Sequence, residues 1–290
     1  MERLWRSRLV DLETLRTLGL SLLPGLFWIV YLRSLSGGRV PPWWQWLIAL
    51  AAGWVSAQLT LYTSEALQVD RLNAVPYIGL LVYFVLGVGL VEEGAKALCA
   101  VVGLKLFRFA DEPVFALQLS GGVALGFATT ENMLYAQNFG ESVLVGRFVS
   151  STLAHVLFGS VWGFALGVRW TRDKSSQRLE RKTPWFSFVG LLGLSAVSHG
   201  LFDWFLVTDR AVFAILTMVV LWVGFREAVV GAYLRQEYQR ELPFETSPCP
   251  HCSVLTRAEG RFCSFCGNSL LEDGEQSATV EENLTGSEAS

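Results

Sequence analysis

Seven apolar blocks dominate this chain, at residues 17–31, 43–62, 74–104, 114–135, 148–168, 185–207 and 211–233. A helix that crosses a hydrocarbon core needs about 20 apolar residues. Within the blocks the apolar residues run on continuously, without the three-to-four-residue spacing of a surface helix. In lipid the backbone must satisfy its own hydrogen bonds, so such blocks can only be helices. The expected fold is an all-α polytopic membrane protein, a bundle of seven or eight transmembrane helices. Composition agrees: of 290 residues, 52% are hydrophobic and only 17% charged, too apolar for one soluble domain. The net charge of −3 comes from the C-terminal 20 residues; the rest is slightly basic, and nothing points to nucleic acid.

Orientation follows from basic loops. Arg169, Arg172, Lys174, Arg178, Arg181 and Lys182 cluster between the fifth and sixth blocks, which the positive-inside rule places in the cytoplasm. Two crossings in either direction return to the same side. The loop with Lys105 and Arg108 and the C-terminus are therefore expected to be cytoplasmic as well. The N-terminus is ambiguous. Arg3, Arg6, Arg8 and Arg16 argue for inside, which requires an even number of crossings before Lys105. Residues 74–104 count as one crossing if continuous and as two if they form a hairpin or broken helix loosened at Gly87 and Gly89. No cleavable signal peptide is expected, and residues 1–16 read as an amphipathic or surface segment.

The cysteines give a separate module. Cys249-Pro-His-Cys252, ten residues, then Cys263-Ser-Phe-Cys266 is the paired-knuckle spacing of a small zinc ribbon. A cytoplasmic location disfavours the alternative of two disulfides. The expected site is closed and structural, with His251 a bystander. The organisation expected is a transmembrane domain at 17–233, a linker at 234–247, the ribbon at 248–270 and an acidic disordered tail at 271–290. Cys99 reads as an inert buried thiol.

Ionisable residues inside the apolar blocks are costly and mark functional sites. The third block carries Glu92, Glu93 and Lys96, the fourth Glu131 and Asn132, the fifth His155, and the sixth His199 and Asp203 one helical turn apart. Counted from the cytoplasmic ends at 1.5 Å per residue, Glu93, Glu131, His155 and His199 lie ~18–26 Å deep. They fall in one layer, from the middle to the outer half of the bilayer. Simpler readings exist for single members: Glu92 and Lys96 as a structural ion pair, a histidine as an interhelical hydrogen-bond donor, Phe127 as packing, and Gly159 and Gly163 as a close helix contact. Shared depth is what they leave unexplained.

Glu92-Glu93-Gly-Ala-Lys96, Phe127-Ala-Thr-Thr-Glu131-Asn132, His155 followed by Gly159, and His199 followed by Asp203 resemble, in order and spacing, the four motifs of the PrsW family of intramembrane proteases. The resemblance covers roughly residues 74–207, outside the ribbon. The family is related to the CAAX prenyl endopeptidases and the bacteriocin-immunity membrane proteins. The resemblance implies cleavage of a membrane-anchored protein on the outer side of a bacterial cytoplasmic membrane, as in site-1 cleavage of an anti-sigma factor. It implies catalytic roles for Glu92, Glu93, Lys96, Glu131, Asn132, His155, His199 and Asp203.

Peptide hydrolysis needs an activated water, stabilisation of the oxyanion and a proton for the leaving amine. Glu93 or Glu92 would be the base, with the other carboxylate held ionised by Lys96; since adjacent helical side chains diverge by ~100°, only one can face the histidines squarely, and Glu93 is expected to matter more. His155, His199 and Glu131 would hold a catalytic Zn²⁺ with one open position, or a metal-free glutamate-activated water would suffice. Asp203 would orient His199 or complete the coordination sphere, and Asn132 would donate to the oxyanion. The expected partners are lipid, a membrane-anchored substrate and a cytoplasmic protein for the ribbon. A proton-coupled transporter and a non-catalytic scaffold presenting the ribbon are the readings from other classes.

Overall fold

The computed structural model describes residues 12–35, 41–74, 78–107, 113–170, 185–241, 246–257, 262–263 and 266–270. Most of the surface segment at 1–16, most of the basic loop at 169–182, and the acidic tail lie outside the described residues. Helices α1 (Leu12–Ser34) and α2 (Trp43–Leu67) come first, followed by a 3₁₀ turn at Val69–Ala74. Next come α3 (Gly79–Val82), a π-helical stretch (Tyr83–Gly89) and α4 (Leu90–Phe107). Then follow α5 (Pro113–Phe139), the short α6 (Val143–Val149), α7 (Ser151–Trp170), α8 (Trp185–Val207) and α9 (Ala211–Glu241). Two short strands close the order, β1 (Thr246–Pro248) and β2 (Leu255–Arg257).

Among the described residues the secondary structure is helical apart from that strand pair and one isolated bridge, and five of the described helices are long and apolar enough to cross a membrane. The α4 and α5 helices are not among the five. Glu92, Glu93 and Lys96 lower the hydropathy of one, and Gln118, Thr129, Thr130, Glu131 and Asn132 that of the other. Large apolar side chains such as Leu47, Val212, Ile215, Val220 and Val145 point outward at more than half exposure, as lipid-facing groups do.

Residues 79–107 do not turn back on themselves. Val82, Tyr83 and Leu90, which flank the π-helical stretch, all keep right-handed helical dihedrals. Gly87 and Gly89 thus loosen the helix by widening it rather than by breaking it into a hairpin. Leu12–Arg16 already belong to α1, and α9 continues to Glu241, into the stretch expected to be linker.

The chain divides into two compact units, one of Met1–Thr171 and Thr183–Leu234 and a small one of Arg172–Lys182 and Arg235–Ser290. In the first, α5 is the central helix, packed against α1, α2, α4 and α7. Lipid supplies no hydrophobic drive between helices, so close packing must do that work. A methyl at Gly53 of α2 would overlap the backbone of Val123 and Gly126 of α5. A methyl at Gly163 of α7 would overlap Ser120, as the glycine spacing there predicts. Arg16 at the start of α1 pairs with Glu141 just after α5, and Gln118 near the start of α5 donates to Leu32 O at the end of α1. The α1 and α5 helices therefore run antiparallel.

The small unit is built on the β1–β2 pair, in register Thr246↔Arg257 to Pro248↔Leu255. Two loops follow one plan. Ser253 and Gly267 adopt left-handed backbone, and each donates its N–H back to a cysteine carbonyl, of Cys249 and Cys263 respectively.

Candidate active site and metal centre

The polar residues of α4, α5, α7 and α8 meet in one hydrogen-bonded cluster. Lys96 is fully buried and uses all three ammonium hydrogens: to Glu93 Oε1 at 2.7 Å, His155 Nδ1 at 3.0 Å and Glu92 Oε2 at 3.3 Å. Its Nζ also lies 3.9 Å from the centre of the Phe127 ring, so that ring both packs and offers its negative face to the cation. Because Lys96 donates to Nδ1, the His155 proton sits on Nε2 and is given to Glu131 Oε2 at 2.7 Å.

The two adjacent carboxylates have different surroundings. Glu93 is fully buried. Its Oε1 accepts from Lys96 and from His199 Nδ1 at 3.0 Å, and its Oε2 accepts from Trp162 Nε1 at 2.9 Å; Ser195 Oγ lies 3.4 Å from Oε2 and gives its hydrogen to Phe158 O at 2.8 Å. The Glu92 side chain keeps 13% exposure, and its ion pairs fall on Oε2: Lys96 at 3.3 Å and His199 Nε2 at 3.7 Å. His199 therefore lies between the two, one ring nitrogen facing each carboxylate, and Phe158 stacks on its face at 4.6 Å. Asp203 Oδ2 lies 3.4 Å from His199 Nε2 across one helical turn.

Glu131 and Asn132 are held from the short α6. Arg147 donates from Nη2 to Glu131 Oε2 at 2.8 Å and from Nε to Asn132 Oδ1 at 2.7 Å, while Asn132 Nδ2 donates to Thr152 Oγ1 at 3.0 Å. All eight residues singled out from the sequence are thus linked, and four more complete the cluster: Arg147, Thr152, Trp162 and Ser195. Thr152 and Trp162 stand three before and seven after His155, and Ser195 four before His199. Helical spacing from each histidine was the signal that could have found them.

The approach of α8 depends on glycine. A methyl at Gly200 would strike the backbone of Phe84 and Val85, and one at Gly89 would strike the Ala196 carbonyl. The π-helical stretch thus lies directly against the turn that carries His199.

In the small unit, all four cysteines are free thiols. Cys249 Sγ lies 3.6 Å from Cys266 Sγ, and Cys252 Sγ 3.7 Å from Cys263 Sγ. A disulfide would require ~2.05 Å. Four sulfurs bound at ~2.3 Å around one tetrahedral ion lie ~3.8 Å apart. The sulfurs are spaced to hold one metal ion, as the paired-knuckle spacing anticipates.

A helical membrane bundle with carboxylates and imidazoles gathered at its buried centre defines the class of this protein. Residues 41–225 match the family described as PrsW family intramembrane metalloprotease, and the chain belongs to that family. It is 31% identical over 141 residues to Protease PrsW of Clostridioides difficile, a match covering 46% of this chain and 57% of the relative. For Protease PrsW of Geobacillus kaustophilus the identity is 32% over 114 residues, covering 39% and 47%. For that of Bacillus subtilis it is 28% over 144 residues, covering 48% and 62%. The chain spans about half the length of the curated relatives it matches. No solved structure matches.

The family description implies a metal, and Glu92 and His199 present donor atoms to one, whereas both His155 ring nitrogens are engaged, Nδ1 by Lys96 and Nε2 by Glu131. Ligand atoms of Glu92, His155 and His199 lie within 4.8 Å of one another. Between His199 Nε2, Glu92 Oε2 and Asp203 Oδ2 three potential acceptors face one another, an arrangement that a proton or a cation satisfies. Glu131, the third ligand expected from the sequence, is likewise engaged, by Arg147 and His155.

Proposed function

We propose that this chain is an intramembrane endopeptidase that hydrolyses a peptide bond of a membrane-anchored protein with a glutamate-activated water. The observation that carries this reading is the contrast between Glu92 and Glu93. Glu93 is fully enclosed, accepts from three donors and anchors Lys96, His199 and Trp162 in place. Glu92 is the partly open carboxylate, and its Oε1 is left to accept from water. A base must reach the proton it removes before its basicity matters. Glu92 takes the water proton and returns it to the leaving amine. Asn132 Nδ2, which has a second hydrogen beyond the one given to Thr152, would donate to the developing oxyanion. Asp203 orients His199. Glu92 and His199 would hold a divalent ion, with His155 joining only in exchange for its Lys96 contact, and such an ion would supply a Lewis acid toward the scissile carbonyl.

The substrate class is a single-span, membrane-anchored protein cut near the outer face of a bacterial cytoplasmic membrane, an anti-sigma-factor-like protein being the model case. Comparing membrane proteomes of cells with and without the chain would identify it by its released ectodomain. Glu92→Gln in the purified full chain is expected to insert and fold normally and to lose cleavage of that protein by about 10³-fold or more, since an amide cannot take a proton. Wild-type cleavage by the folded variant would overturn the mechanism.

Seven crossings are the count we favour: the five long apolar helices, the run from α3 to α4, and α5. The antiparallel α1 and α5 support it, because three crossings separate the start of α1 from the start of α5. With Lys105 and the C-terminus cytoplasmic, the N-terminus is then outside despite its arginines. In a background free of other exposed cysteines, an impermeant thiol reagent should label Ser7→Cys on intact cells and Ser277→Cys only after lysis. The reverse pattern would invert the topology. The ribbon, holding structural zinc on the cytoplasmic side, is the proposed docking module for a cytoplasmic partner.

A further inference from the structure

Arg147 is a buried cation that none of the motifs contains. It sits on α6, a helix of seven residues entered through Gly140, whose φ of 87° reverses the chain after α5. Its side chain is 8% exposed and its guanidinium lies 3.9 Å from the Tyr135 ring centre. An arginine held in this layer of a membrane protein is costly and calls for a partner and a purpose.

The segment that carries it is fixed from α1 at both ends. Arg16 and Thr17 both donate to Glu141 Oε1 at 3.0 Å, before α6. Trp28 Nε1 donates to Phe148 O at 3.2 Å, one residue after Arg147, and Phe27 packs edge-on against the Phe148 ring. The guanidinium is therefore positioned by α1 and by its own short helix, and not only by the groups it binds.

We propose that Arg147 is a positioning residue of the site, acting on His155 through Glu131 while fixing Asn132 with the same edge. Glu131 Oε2 accepts two hydrogens, one from Arg147 Nη2 and one from His155 Nε2. The arginine thus sets where that oxygen lies, and the oxygen sets the plane of the imidazole. Asn132 follows Glu131 on α5, and adjacent helical side chains diverge by ~100°. A planar fork with Nε and Nη2 donating in parallel spans that divergence, which a single ammonium cannot. Outer partners of this kind determine ring orientation and tautomer, and their loss typically costs about 10–100-fold in activity.

The rate arm of the test rests on the proteolytic reading above, and a spectroscopic arm does not. The full chain in detergent, labelled with ¹⁵N-histidine, is compared as wild type, Arg147→Gln and Arg147→Lys at one pH, with His155 assigned by His155→Gln. Both Arg147 variants should shift the His155 ring nitrogens and leave those of His199 in place. Unchanged His155 signals in folded Arg147→Gln would overturn the proposal, whether or not the wild type cleaves anything. The rate arm uses the purified single-span protein whose ectodomain is released only in cells holding the wild-type chain. Arg147→Gln should lower kcat by about 10–100-fold with KM within about twofold. Arg147→Lys should recover folding but not the full kcat. The double variant Glu131→Gln/Arg147→Gln should be no slower than the worse single variant, because the two act as one unit. Additive losses, or a full kcat in Arg147→Lys, would show that the fork acts independently of Glu131 or not at all.

Discussion

The two clusters of this molecule solve opposite electrostatic problems. In the ribbon, four groups of one kind, the thiols of Cys249, Cys252, Cys263 and Cys266, stand 3.6–3.7 Å apart in pairs within a few turns of chain. As thiolates they repel, and the two three-residue strands offer little else to hold them. In the membrane unit, both signs are present. Lys96 and Arg147 lie among Glu92, Glu93, Glu131 and Asp203, and Trp162, Thr152 and Ser195 fill the remaining positions. One cluster gathers only like groups, and the other offsets two of its four carboxylates with cations of its own. The general lesson is that the same capacity to hold a metal can arise from need or from leftover valence.

The largest expected effect separates the two directly. Adding a strong zinc chelator to the full chain in detergent should abolish amide-exchange protection across residues 246–270, because the ion contributes about 10 kcal/mol or more to folding such a module. The unfolding midpoint of the helices should not move. Loss of both together would mean that the membrane centre also depends on its ion for shape.

Next is Glu93→Ala, followed by reversible detergent unfolding. It leaves Lys96 buried with its shortest partner gone, and the expected loss is about 3–5 kcal/mol. Glu92→Ala should lose clearly less, since that side chain is partly solvated and only loosely paired. Equal losses would erase the distinction between anchor and working carboxylate. The smallest effect expected is for Phe127→Leu, which removes the ring face under Lys96 and should cost about 1–2 kcal/mol by the same measurement. A neutral result would return Phe127 to simple packing.

Much of the architecture was legible because lipid leaves the backbone few choices. Each apolar block became helix, and the polar exceptions within the blocks became the cluster. The helix ends were less legible. Arg147 lies one residue before the block beginning at 148, so a count confined to block interiors passed over it. Trp162 was hidden by its chemistry: an indole is ordinary in a membrane helix until its hydrogen is seen to point at Glu93. Which of the two adjacent glutamates is spent on structure could not be read from periodicity at all. That depends on what α7 and α8 bring to each carboxylate, which is tertiary information. The ribbon is the opposite case, where all four ligands and their spacing lie in one short stretch.

The π-helical stretch at Tyr83–Gly89 also changes how this region tolerates alteration. A π bulge is equivalent to one residue inserted into an α-helix without ending it. It shifts the angular phase between what lies before Tyr83 and what lies after Leu90. The segment from Gly79 is thereby uncoupled in rotation from the one that aims Glu92 and Glu93, like two shafts joined by a clutch. Removing one residue between 83 and 89 would let the helix wind back to 3.6 residues per turn, rotating one side against the other by about 100°. Gly79 lies bare against the Asn73 backbone and Gly89 against the Ala196 carbonyl of α8, so neither end of the stretch could turn freely. Length in this stretch, more than the identity of its side chains, is what keeps the carboxylates facing the histidines.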